Sequence, residues 1–143
     1  METIPSLEVL KEFYLLKSLS LCRCCLSEVG VLNSLSNLKE LWLNENAIES
    51  VDLGSLSKLE KLDLSNNSIS EFASLKLPSG LKTLWVNNNY LANLKGVKAL
   101  KSICELWAAG NQLPGVSKQV LELENLSNLN LSGNFIESLE NLY

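Results

Sequence analysis

Four cysteines are the residues of this chain best suited to metal or redox chemistry, and three of them crowd into Cys22-Arg23-Cys24-Cys25. Thiolates gathered in that way could hold zinc or cycle between dithiol and disulfide, provided a fourth ligand or a resolving thiol lies close by. The remaining cysteine, Cys104, is far along the chain. There is no histidine, which removes the usual acid–base group near neutral pH and the commonest metal ligand. Gly110, Gly115 and Gly133 stand singly and build no loop that could cradle a phosphate. The other chemically distinctive residues are Trp42, Trp85 and Trp107, which are all the tryptophans the chain has. What these groups can do depends on the elements that carry them.

Those elements repeat. Six segments follow the template L-x-x-L-x-L-x-x-N, starting at Leu16, Leu38, Leu59, Leu81, Ile103 and Leu126, at intervals of 22, 21, 22, 22 and 23 residues. All 18 apolar template positions hold apolar residues and 15 are Leu, an outcome of roughly one in a million for a chain that is 46% hydrophobic. Alternation within the template predicts a short strand with two Leu turned inward and the residue between them outward. Stacked repeats place these strands side by side as one parallel sheet. The closing Asn turns the chain toward the interior. Its amide can donate and accept for backbone groups there, so Asn46, Asn67, Asn89, Asn111 and Asn134 form a ladder, with Cys24 at the equivalent place in the first repeat.

The second half of each repeat has a period of three. Leu91, Leu94, Val97 and Leu100 follow Asn89, and Leu26, Val29, Leu32 and Leu35 follow Cys24. This spacing predicts a 3-10 or short helical convex wall. The expected architecture is therefore an α/β solenoid with about six strands in a curved parallel sheet on its concave side. Ile4, Leu7, Leu10 and Phe13 fit the same period, so residues 1–15 read as an N-terminal cap or partial repeat, ahead of six repeats over 16–143 in one continuous domain.

The full pattern resembles the intracellular leucine-rich-repeat class of 22 residues, typified by a nuclear regulatory subunit of protein phosphatase-1 and shared by an axonemal dynein light chain, a spliceosomal subunit and acidic nuclear phosphoproteins. The resemblance runs from about residue 4 to 142 and implies a regulatory or adaptor subunit that binds a phosphatase or a cytoskeletal motor protein. The chain departs from the class in ending at Tyr143 in mid-repeat and in lacking a polyacidic tail. These departures suggest a piece of a longer protein, or a small cap made by Leu139, Leu142 and Tyr143.

In such a solenoid the central outward column of the sheet reads Ser20, Trp42, Asp63, Trp85, Trp107, Asn130. All three indoles are thus expected on the concave face, Trp85 beside Trp107 and Trp42 across Asp63 from them, as anchors for a protein partner. The competing reading has the indoles packed on the sheet only to stabilise it. Glu40, Lys61 and Glu105 supply a charged rim, and Asp63 could meet a cation of the partner.

The same geometry separates Cys104 from the other thiols by four repeats, ~19 Å at ordinary strand spacing, and turns Cys24 inward, so a zinc site is not expected. No catalytic residue, cofactor or metal is expected. A net charge of -4 with only 12 Lys and Arg, evenly spread, argues against a nucleic-acid surface, which leaves a ribonucleoprotein subunit or a structural segment of a larger repeat protein as alternatives. No apolar run is long enough for a membrane span, and the thiols point to an intracellular compartment, cytoplasmic or nuclear, with a monomer as the expected state.

Overall fold

The computed structural model describes residues 6–137. Ile4, Leu139, Leu142 and Tyr143, which the sequence assigns to the two ends, lie outside that range. Eight short strands occur within it: β1 (Ser18–Ser20), β2 (Glu40–Trp42), β3 (Val51–Asp52), β4 (Lys61–Asp63), β5 (Leu75–Lys76), β6 (Thr83–Trp85), β7 (Glu105–Trp107) and β8 (Asn128–Asn130). Six of them form one parallel sheet in the order β1-β2-β4-β6-β7-β8. Its register aligns Leu19, Leu41, Leu62, Leu84, Leu106 and Leu129, so each strand's inward Leu meets its counterpart in the next repeat.

The convex side is less uniform than the period of three predicts. 3-10 helices run over Leu7–Glu12, Gly30–Ser34, Phe72–Ser74, Val97–Ala99 and Lys118–Glu122. Between them, β3 and β5 pair in parallel as a second, two-stranded sheet. The cause is local. Val51-Asp52-Leu53 and Leu75-Lys76-Leu77 both alternate apolar and polar residues, which suits an extended chain. Pro78 further drives Leu77 away from helical angles, and the repeat that starts at Leu38 is one residue short of 22.

The core is continuous from Leu26 to Leu123. The apolar template residues of the four inner repeats are buried, but Leu16, Leu19, Leu21, Leu126 and Leu131 are only half-buried and Leu129 is 41% exposed. Expecting every template residue from Leu16 to Leu131 inside is therefore wrong at both outer repeats. A solenoid side chain is covered by the repeats on either side of it, and these have a described neighbour on one side alone.

The asparagine ladder explains how the tight turns stay satisfied. Asn89 Nδ2 donates to the carbonyls of Val86 in its own repeat (3.2 Å) and Leu64 in the preceding one (3.0 Å). Its Oδ1 accepts from the Ile69 amide at 3.0 Å. Asn67 and Asn111 repeat this pattern, donating back to Leu43 and Val86 and accepting from Ile48 and Leu91. Cys24, first in the series, uses its amide to donate to Asn46 Oδ1 and turns its thiol to the carbonyl of Cys22.

Candidate functional site

Three outward columns make up the concave face. The strands begin with Ser18, Glu40, Lys61, Thr83, Glu105 and Asn128; their last residues are Ser20, Trp42, Asp63, Trp85, Trp107 and Asn130. A third column follows two residues later with Cys22, Asn44, Ser65, Asn87, Ala109 and Ser132. Every predicted site residue thus falls on one surface, and the sheet register sets its neighbours.

The indoles are arranged differently from the simple column. Trp85 and Trp107 are register partners on adjacent strands, yet the ring that packs against Trp85 is that of Trp42, with centroids 5.5 Å apart and planes tilted by 33°. Trp42 and Trp85 are separated by the whole of β4, ~9.6 Å at ordinary strand spacing. Trp42, Trp85 or both must therefore lean across Asp63, whose small side chain leaves them room. Each of the three indoles is half-buried, where free exposure was expected. Part of the packing reading is therefore right: an offset, tilted aromatic pair stabilises this stretch of sheet. Trp107 has no aromatic partner among the described residues and donates its Nε1–H to Glu105 Oε2 at 3.3 Å.

Asp63 is half-buried, and its Oδ1 accepts the Ser65 amide at 2.8 Å. Asn130 does the same for Ser132, accepting from its amide at 3.0 Å and its hydroxyl at 2.7 Å. Both side chains therefore help to turn the chain out of its strand, a task the outward column does not reveal. Lys61 Nζ pairs with Glu40 Oε1 at 3.1 Å between adjacent strands. Asn87 accepts the Ala109 amide at 2.9 Å, which ties the third column across repeats.

One regularity was not read from the sequence. The residue before each ladder position has positive φ in all six repeats: Arg23, Glu45, Asn66, Asn88, Gly110 and Gly133. Asn, Asn, Gly and Gly in the later repeats are the residue types that tolerate this backbone, so the signal was present. Arg23 and Glu45 adopt it without that tolerance and pair with each other, Nε to Oε2, at 2.6 Å. The hydrogen bond from Arg23 holds the Glu45 carboxyl below its ordinary range, and the same bond raises Arg23.

The thiols form no centre of their own. Cys22 Sγ lies 2.8 Å from Asn44 Oδ1 and 3.1 Å from Ser20 Oγ, all four cysteines are free, and no group of three His, Cys, Asp or Glu among the described residues converges as metal ligands would. A hollow of about 300 Å³ lies between the loops Ala92–Lys95 and Pro114–Gln119, away from the concave columns; Lys95 is the only charged side chain lining it. No helix among the described residues is long and apolar enough to cross a membrane.

A repeated strand, an asparagine-lined turn and a curved parallel sheet define the chain as a leucine-rich-repeat solenoid. Residues 57–99 match the family model for leucine-rich repeats in two copies. Among solved structures the chain is similar to internalin C2 from Listeria monocytogenes, with 28% identity over 98% of this chain and a TM-score of 0.84. It is also similar to the LRIM1 leucine-rich-repeat domain (26% identity, 92% of this chain, TM-score 0.69) and to a chain of the LRIM1/APL1C complex (26%, 90%, TM-score 0.66). This chain spans 65% of the internalin C2 chain, 50% of the LRIM1 domain and 32% of the chain in the complex. No curated protein matches it.

Proposed function

We propose that this protein is a non-catalytic binding module, a regulatory or adaptor subunit that grips a folded protein partner on its concave sheet. The observation that carries the reading is the placement of the tryptophans. All three lie in the central column of one face, none lies in the core, and each keeps part of its ring in solvent. Large aromatic side chains held in this way are the anchors around which interfaces are built. The complex formed by the similar LRIM1 chain supports a role in protein association. The resemblance to the phosphatase-1 regulatory class adds a partner type, a phosphatase or a cytoskeletal motor, and the free thiols suit an intracellular setting. A ribonucleoprotein role fits less well, because Lys61 is the one cation in the three outward columns and it is already paired.

Replacing Trp85 and Trp107 together with Ala tests the reading. Partner affinity should fall by several kcal/mol, at ≥ ~2 kcal/mol per anchor. Loss of Trp85 also breaks the aromatic pair, so stability should drop by ~0.5–1.5 kcal/mol, well short of a core truncation. Unchanged partner affinity in a folded double variant would overturn the concave-face assignment.

A further inference from the structure

We infer that the gap between the Trp85 and Trp107 indoles is a seat for an arginine side chain presented by the protein partner, with Glu105 as its counter-ion. The inference rests on the concave sheet being the binding face, and it adds the chemistry of what is bound there.

The geometry of the rings makes the gap. Trp85 and Trp107 sit on adjacent strands in register, where two indoles would ordinarily meet. Trp85 instead pairs with Trp42, two strands away at 5.5 Å. The Trp85 ring is thus engaged on its β4 side and forms no ring pair with Trp107 among the described residues. Trp107 has no aromatic partner among the described residues, and its Nε1–H is bonded to Glu105 Oε2 at 3.3 Å. That bond fixes the carboxylate at the edge of the indole. Glu105 Oε1 takes part in no hydrogen bond among the described residues.

The electrostatics give the occupant its sign. The three outward columns carry the acids Glu40, Asp63 and Glu105 against the single cation Lys61. Lys61 bonds to Glu40, so Asp63 and Glu105, on the strands to either side of Trp85, have no cationic partner among the described residues. A cation over the Trp85–Trp107 gap is attracted by the electron-rich ring faces and by both carboxylates. Arginine suits the gap better than lysine. Its planar guanidinium stacks on an indole while donating in plane to a carboxylate, which a tetrahedral ammonium cannot do as well.

The test uses the full chain and three synthetic Gly-Ser peptides that differ at one position, holding arginine, lysine or neutral citrulline. Binding is followed by the indole N–H resonances of Trp85 and Trp107. The arginine peptide should bind about tenfold more tightly than the citrulline peptide, with lysine between them. Glu105→Gln keeps an oxygen for the Trp107 indole and removes only charge, so it should abolish most of that preference while leaving the free-state indole resonances in place. Asp63→Asn, which can still accept from Ser65, should reduce the preference less. Equal binding of arginine and citrulline peptides, no binding of the arginine peptide at millimolar concentration, or a preference untouched by Glu105→Gln would each overturn the arginine seat. None of these results touches the broader assignment, which falls only if the protein partner's affinity survives the loss of Trp85 and Trp107.

Discussion

Asn89→Ala should be among the most damaging single substitutions in this chain, although it changes no apolar residue. Asn89 is 4% exposed, and its amide serves four backbone groups, the Ile69 amide and the carbonyls of Leu64, Val86 and Asn87. Truncation would leave the Leu64 carbonyl (3.0 Å), the Val86 carbonyl (3.2 Å) and the Ile69 amide (3.0 Å) without this partner. The Ile69 amide would then be unsatisfied, at about 1–3 kcal/mol, while the Leu64 and Val86 carbonyls keep their bonds from Asn67 and Asn111 and each lose about 0.5–1.5 kcal/mol, so the total is ~2–4 kcal/mol after partial relaxation. Set against a domain stability of about 5–15 kcal/mol, that removes a substantial part of what holds the chain folded. Urea titration followed by far-UV circular dichroism measures it directly. Asn89→Asp gives the mechanism a second reading, because a carboxylate can still accept from Ile69 but cannot donate to Leu64 or Val86. It keeps the Ile69 bond but sets a buried negative charge against the two carbonyl oxygens, so it should recover only a minor part of the loss. A cost below ~1 kcal/mol for Asn89→Ala would show that water satisfies these turns as well as the amide does, and the ladder would then lose its structural role.

Leu62→Ala, at a fully buried position in β4, should cost ~2–5 kcal/mol by the same titration, since the neighbouring repeats cannot close the cavity completely. The Arg23–Glu45 pair should show itself in acid. Glu45 has a folded pKa lowered by its bond from Arg23, so its contribution is present above the unfolded value of about 4.3 and is lost as pH falls through the lower folded one. The thermal midpoint of Glu45→Gln should therefore lie slightly below that of the parent at pH 7 and converge with it in acid. A gap that persists unchanged at low pH would assign the difference to the backbone and not to the pair. Both side chains are well exposed, so salt at pH 7 should also shrink the gap.

The repeat was legible because one physical requirement recurs six times. Each strand must turn two Leu inward, and each turn must satisfy its backbone, so the same letters return about every 22 residues. What could not be read was whatever depends on neighbours outside the repeat. Leu129 carries the same letter as Leu62, and it is 41% exposed while Leu62 is fully covered. The convex strands β3 and β5 were missed for a related reason. The period of three after Cys24 and Asn89 does not carry over to the stretches after Asn46 and Asn67, where Val51-Asp52-Leu53 and Leu75-Lys76-Leu77 already alternate. The left-handed column lay in plain view from Asn66 onward and was hidden at its start by Arg23 and Glu45.

The site was legible as a column and not as a set of contacts, and the difference has a cause. Reading outward positions one repeat at a time treats adjacent strands as the only neighbours, because Cα atoms there lie ~4.8 Å apart. An indole reaches much further than that spacing, so its partner is chosen by what stands between. Asp63, between Trp42 and Trp85, is small enough to be bridged, and the two rings meet over it. A bulky residue at position 63 would hold Trp42 and Trp85 apart and free Trp85 to turn toward Trp107. The identity of residue 63 thus acts on the binding face chiefly through the rings beside it. It decides whether the gap between Trp85 and Trp107 stands open or is filled, while Glu105 and Asp63 decide the charge of what the gap can take.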